Sequence, residues 1–167
     1  MIKHIDYCTH ISNLEDIDIL TRKLFDVNIR LFNSSPQYRE IVTLSINYLK
    51  WWCVTSKEGY KKPHGVSGAN TGIPFNIVAY NTNNGPVAMI NPKIIKRYGG
   101  KITGQSNCGS LTLPEPIEVT RDEFIDIDYF DENGDKISIT KVDRKLGGLT
   151  IQHEVDHNLG ILITNHV

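Results

Sequence analysis

His153 and His157, with Glu154 beside the first, form the stretch H-E-x-D-H, and no other feature constrains this chain as strongly. On a helix, positions i and i+4 lie on one face, so two imidazoles at this spacing can grip one metal ion. A carboxylate next to the first imidazole can then hold or deprotonate a water at that ion, as metal-assisted hydrolysis of an amide requires. The stretch is therefore expected to be helical. The rest of the chain must bring a third ligand to it and leave one coordination position open. The bland alternative is a pair of hydrogen-bonded histidines on a half-exposed helix.

Two candidates exist for the third ligand. Downstream of the motif the obvious one is His166. Upstream, Cys108 lies in Gln105-Ser106-Asn107-Cys108-Gly109-Ser110-Leu111, an irregular segment expected at a strand edge, where the alternative is a packed thiol. Cys8 and Cys53 fall in terminal or helical segments and are expected to pack as small apolar residues. Three widely spaced cysteines make a disulfide framework improbable and suit a reducing cytosol.

Periodicity sets the order of elements. Asn13 can cap a helix with Asp16 three residues on, and Leu14, Ile17, Leu20 and Leu24 follow at helical spacing. Ser35-Pro36 is a cap and first-turn pair that opens a helix from about 36 to about 53. Its stripes are Ile41, Leu44, Ser45, Tyr48 and Trp52, then Val42, Ile46 and Leu49. The basic stretch Lys57 to Pro63 reads as a solvated surface loop. From Gly65 the texture becomes β-like, with strands expected over Phe75 to Tyr80, Val87 to Ile90, Glu123 to Phe130 and Lys136 to Val142. Asp131-Glu132-Asn133-Gly134-Asp135 reads as a hairpin turn between the last two. Asp143 is expected to open the motif helix and Gly160 to close it. On that helix Leu146, Leu149, His153 and His157 share one face, and Ile151, Val155 and Leu159 another, so it should lie buried against the sheet. The expected class is α+β: mixed or antiparallel sheets packed around a central C-terminal helix carrying the motif, with helices at the N-terminal end.

At 167 residues and 40% hydrophobic content the chain suits a single soluble domain spanning 1–167, with a helical part over 1–64 and a motif-bearing part over 65–167. A net charge of -1 gives no reason to expect nucleic acid or membrane as a partner. No apolar run is long enough to span a bilayer, and the first six residues lack the character of a secretory signal.

Three segments in order resemble the peptide deformylase family. Its members carry G-x-G-L-A-A-x-Q, then E-G-C-L-S, then H-E-x-D-H. The matching stretches are Gly65 to Gly72, Ser106 to Ser110, and His153 to His157. Ile90-Asn91-Pro92 is similar to the family's I-N-P strand end, and Gln152 and Gly160 match the usual flanks. The resemblance implies a metallohydrolase that removes the formyl group from N-formylmethionyl peptides of nascent proteins. Cys108, His153 and His157 would hold one divalent ion, Fe2+ in many relatives, with Zn2+ or Ni2+ as alternatives. Glu154 would be the general base, the Gly109 N–H an oxyanion donor, and Val66, Ser67, Asn70 and Gly72 would face the substrate. Asp156 is expected to be structural. The resemblance further implies a cytoplasmic monomer, in a bacterial cytosol or a phage-infected host cell, with at most transient ribosome contact. Two departures stand out. Gly72 replaces the family's oxyanion-binding glutamine, and Ser106 replaces a glutamate that usually pairs with an arginine, here Arg121. These leave open a divergent deformylase-like metal protein with weak activity or another N-acyl amide substrate. An unrelated H-E-x-x-H peptidase with His166 or an acid as third ligand is the remaining alternative.

Overall fold

A five-stranded antiparallel sheet, in which each strand pairs with its neighbour in sequence, separates two helices. The structure, a computed structural model, describes residues 20–55, 63–106, 108 and 115–166. Cys8, most of the helix expected from Asn13, and the basic loop with Lys57, Lys61 and Lys62 lie outside the described residues; of that helix's stripe Leu20 is helical and buried, whereas Leu24 lies past the helix end and donates its N–H to the Asn158 carbonyl. In chain order the elements are α1 (Ile29–Ser34), α2 (Pro36–Val54), β1 (Gly65–Ser67), α3 (Gly68–Thr71), β2 (Ile77–Thr82), β3 (Gly85–Ser106), β4 (Ile117–Phe130), β5 (Lys136–Val142) and α4 (Gly148–Asn158), followed by a 3-10 turn, Ile163–His166. The α+β expectation matches this arrangement.

Helix α2 starts where the sequence places it. Ser35 Oγ accepts from the Tyr38 N–H, and Pro36 occupies the first turn, where its missing N–H costs nothing. Val42, Ile46, Leu49, Trp52 and Cys53 form the buried face. The other expected stripe is outward in its first half, where Ile41 and Leu44 are 55% and 53% exposed, and reaches the core through half-buried Tyr48 and buried Trp52. Cys53 packs as a small apolar residue, as expected, and burial pushes its thiol up to about 12.

The strand pleat accounts for the two-sided sheet. Ile77 and Ala79 of β2 and Ala88 and Ile90 of β3 face α2, together with Phe32 of α1. The alternate residues Val78 and Met89 face the opposite way, where they meet Ile125, Ile127, Val142 and the α4 residues Ile151 and Val155. The register agrees, since Ile77 pairs with Ile90 and Val78 with Met89. Strand β3 runs far past the expected end at Ile90, for 22 residues. Pro92 is tolerated because the β3–β4 register shifts between Ile90 and Lys93. Asn91, at φ 53, turns its side chain onto the Val27 backbone, accepting from the N–H at 2.7 Å and donating to the carbonyl at 2.8 Å.

The β4–β5 hairpin forms at the expected turn. Asp131 accepts from the backbone N–H groups of Asn133 and Asp135, at 2.8 and 2.9 Å, and Gly134 adopts φ 91. These bonds, the one from Asp135 foremost, hold the Asp131 carboxyl below the usual carboxylate range. Asp131→Ala is expected to lower stability by about 1–2 kcal/mol at neutral pH in urea titrations. A depressed folded pKa means this contribution is present above the free value of 3.8 and disappears as pH falls through the folded value. The variant and the parent should therefore converge in stability on acidification; a gap that persists at about pH 2 would count against this account.

The motif helix starts five residues later than Asp143. Asp143 instead makes a turn, its side chain accepting from the Leu146 N–H at 3.0 Å and its carbonyl from the Gly148 N–H at 2.7 Å. Gly147, at φ 86, then opens α4. Leu146 consequently lies before the helix and is exposed, and Leu159 at the far end is exposed too. Gly160, at φ 77, closes the helix as expected, and a Cβ there would stand 2.2 Å from the Thr21 carbonyl oxygen.

Candidate metal centre

Helix α4 is buried nearly all round, and most of what it buries is polar: Gln152, Glu154, Asp156, His157 and Asn158. Burying such groups is costly unless they find partners. Gln152 pairs with the β4 backbone like a neighbouring strand: its Oε1 accepts from the Asp122 N–H at 3.2 Å and its Nε2 donates to the Asp122 carbonyl at 3.0 Å. Asn158 ties the helix to the start of the β-rich half. Its Oδ1 accepts from the Ala69 N–H, and its Nδ2 donates to the Ile77 carbonyl and to Asn76 Oδ1. Asp156, 2% exposed, receives Arg121 Nη1 at 2.6 Å, with His166 Nε2 at 2.9 Å and Arg97 Nη2 at 3.5 Å.

His153 and His157 differ in kind from these. Their Nε2 atoms face each other at 3.2 Å, and Cys108 Sγ lies 3.3 Å from His157 Nε2. The three ligand atoms all lie within 4.8 Å of one another. Burial drives the His157 imidazole down to about 4 and holds His153 well below its usual range, so both rings are neutral at pH 7. Neutral imidazole nitrogens and a thiolate are the donors a soft or borderline divalent ion prefers. Edges of a tetrahedral site with bonds near 2.0–2.3 Å measure about 3.3–3.6 Å, close to the spacings of His157 Nε2 from His153 Nε2 and from Cys108 Sγ. The donor set therefore fits a metal ion.

Glu154 lies on the same helix, 4% exposed, and its Oε2 has no hydrogen-bond partner among the described residues. Burial raises its carboxyl to about 8; Arg121 and a hydrogen bond from Ser67 oppose that shift. Strand β1 passes very near it, since a Cβ on Gly65 would meet Glu154 Cγ at 2.9 Å and Thr150 Cγ2 at 2.6 Å. Ser67, fully buried, also hydrogen-bonds Asn70 Oδ1, so the first-motif segment and the motif helix meet at Ser67. Val66 is buried, Asn70 half-buried and Gly72 exposed, at φ 72 with open space where a Cβ would project. Gly109 lies outside the described residues. Ser106 ends β3, and Arg121 pairs with Asp156 in the absence of a glutamate there. His166 joins Asp156, outside the Cys–His–His cluster. His64 is exposed.

A family model for polypeptide deformylase matches residues 55–167. The chain belongs to the peptide deformylase family. A peptide deformylase of Syntrophomonas wolfei is 29% identical over 99 residues, which cover 59% of this chain and 62% of that protein. Peptide deformylase 1 of Clostridium acetobutylicum is 31% identical over 102 residues, covering 60% of this chain and 65% of that protein. The chain thus aligns with less than two thirds of the length of these curated relatives. Among solved structures, a peptide deformylase from Synechococcus elongatus in complex with actinonin superposes with a TM-score of 0.67 at 25% identity, covering 89% of this chain and 73% of that one. A probable peptide deformylase from Synechococcus phage S-SSM7 shares the fold at 21% identity, with a TM-score of 0.61 and coverage of 90% or near it: 89% of this chain and 93% of that one.

The partnership of Asp156 with Arg121, Arg97 and His166, and the Asn158 clamp, were not read from the sequence. The available signal was the density of polar residues at Gln152, Asp156 and Asn158 in a helix whose apolar positions already required burial.

Proposed function

We propose that this chain is a metal-dependent hydrolase that removes the formyl group from N-formylmethionyl peptides of nascent proteins in the cytoplasm. The observation that carries this reading is the convergence of Cys108 Sγ, His153 Nε2 and His157 Nε2, with buried Glu154 on the same helix. A divalent ion, Fe2+ with Zn2+ or Ni2+ as alternatives, would be held by those three and would supply Lewis acidity to activate the attacking water. Glu154 takes the proton from that water as its oxygen bonds to the formyl carbon. It then delivers the proton to the amine nitrogen as the C–N bond breaks. Formate and a free amino terminus result. Val66, Ser67 and Asn70 line the substrate side, and the Gly109 N–H supports the oxyanion. Gly72 offers no side-chain donor, which is expected to slow turnover about a hundredfold relative to a site that has one. No helix among the described residues is long and apolar enough to cross a membrane.

The test is formate release from a formyl-Met tripeptide by anaerobically purified, metal-analysed protein. Turnover above a Glu154→Gln control supports deformylation. Bound metal without formate would favour the second reading suggested by Gly72, a different N-acyl amide as substrate.

A further inference from the structure

We propose that the 3-10 turn Ile163–His166 positions Cys108 for metal binding, an inference that rests on the metal centre described under the proposed function. Cys108 stands two residues beyond the end of β3 and belongs to no strand or helix. Among the described residues, the apolar cluster around it is small: Val119 and half-buried Ile117 from β4, and Ile163 from the turn. Cys108 is 4% exposed and Ile163 only 1%. The β4 side of this cluster is held by the sheet. The other side depends on how the turn is held.

One hydrogen bond and one close approach tie it to α4. At its start, the Ile161 N–H donates to the Asp156 carbonyl at 2.8 Å. At its end, His166 Nε2 approaches Asp156 Oδ2 to 2.9 Å without making a hydrogen bond, on a carboxylate that Arg121 holds. Between them the turn closes on itself, the Leu162 N–H donating to Asn165 Oδ1 and the Asn165 N–H to the Leu162 carbonyl. Asp156 precedes His157 directly on the helix. The turn is thus a brace from the helix that carries both imidazoles to the residue that packs on the thiol. Ile163 and His166 act here as positioning residues, since neither belongs to the cluster of ligand atoms.

The experiment is Co2+ titration of the metal-free full chain, read by the thiolate-to-cobalt charge-transfer band and by the affinity. Ile163→Ala is expected to weaken cobalt affinity about tenfold or more and to diminish the band per bound cobalt, the scale usual for groups that orient a ligand. Ile163→Leu should restore both. Ile46→Ala, which opens a comparable cavity in the core on the α2 face, should leave both unchanged. Unaltered affinity and band in Ile163→Ala with a native circular dichroism spectrum overturn the proposal, and so does an equal loss in Ile46→Ala. If Ile163→Ala does not fold, His166→Ala decides: a weakened band supports the brace, an unchanged one overturns it. A wild-type chain that binds cobalt without the thiolate band overturns both the brace and the proposed metal centre. Formate release by the wild type together with a failed brace leaves the deformylase reading standing alone.

Discussion

Cys108→Ser is expected to strip most of the bound metal and to lower formate release about a thousandfold. The thiolate is the donor that separates this centre from a bare pair of histidines, and a neutral hydroxyl is a far weaker ligand for a borderline ion. The fold should survive, because Cys108 packs in a small cluster of its own, away from the two faces of the sheet where most of the apolar core lies. Metal analysis, unfolding midpoint and formate assay separate the possibilities. Full occupancy with undiminished turnover would show that the sulfur is not a ligand, and the peptidase alternative with another third ligand would return.

Glu154→Gln should have the opposite signature: metal retained, activity lowered by roughly a thousandfold to ten-thousandfold. The amide keeps the shape of the carboxylate and cannot carry the proton. Its effect on stability also has a definite sign. The carboxylate is fully enclosed and its Oε2 lacks a partner among the described residues, so the charged form is costly to bury. The metal-free variant is expected to melt at the same temperature as the parent or higher above about pH 8, where the parent's carboxyl is charged and its removal helps most. A variant that loses metal and stability together would place Glu154 among the structural supports and remove it from the proton-transfer role.

Much of the architecture was legible because it follows from period and punctuation. Ser35-Pro36 starts α2, the Asp131 to Asp135 run turns the hairpin, and β5 occupies the range its alternation indicated. The convergence of Cys108, His153 and His157 was legible for a different reason: i,i+4 histidines are locally determined, and Cys108 stood out on an irregular segment before the family resemblance gave it a role. What sequence reading missed is long-range. The outer half of β3 has mostly exposed side chains, so no apolar alternation marks it; its order comes from backbone pairing with β4. The late start of α4 depends on Gly147 at φ 86, a conformation that a glycine permits without announcing. Arg121, Asp156 and His166 are far apart in sequence and become a cluster only when β4, α4 and the closing turn are brought together.

The strand order has a consequence for how the centre comes into being. Since every strand pairs with its chain neighbour, the sheet can grow hairpin by hairpin, closing only short spans at each step. Cys108 and His157 are 49 residues apart, yet β4 and β5 have already bridged most of that distance when α4 docks. If the proposed centre binds its ion, capture would be a late event on a prebuilt platform, and a cell short of the right metal would accumulate a folded, unloaded pool.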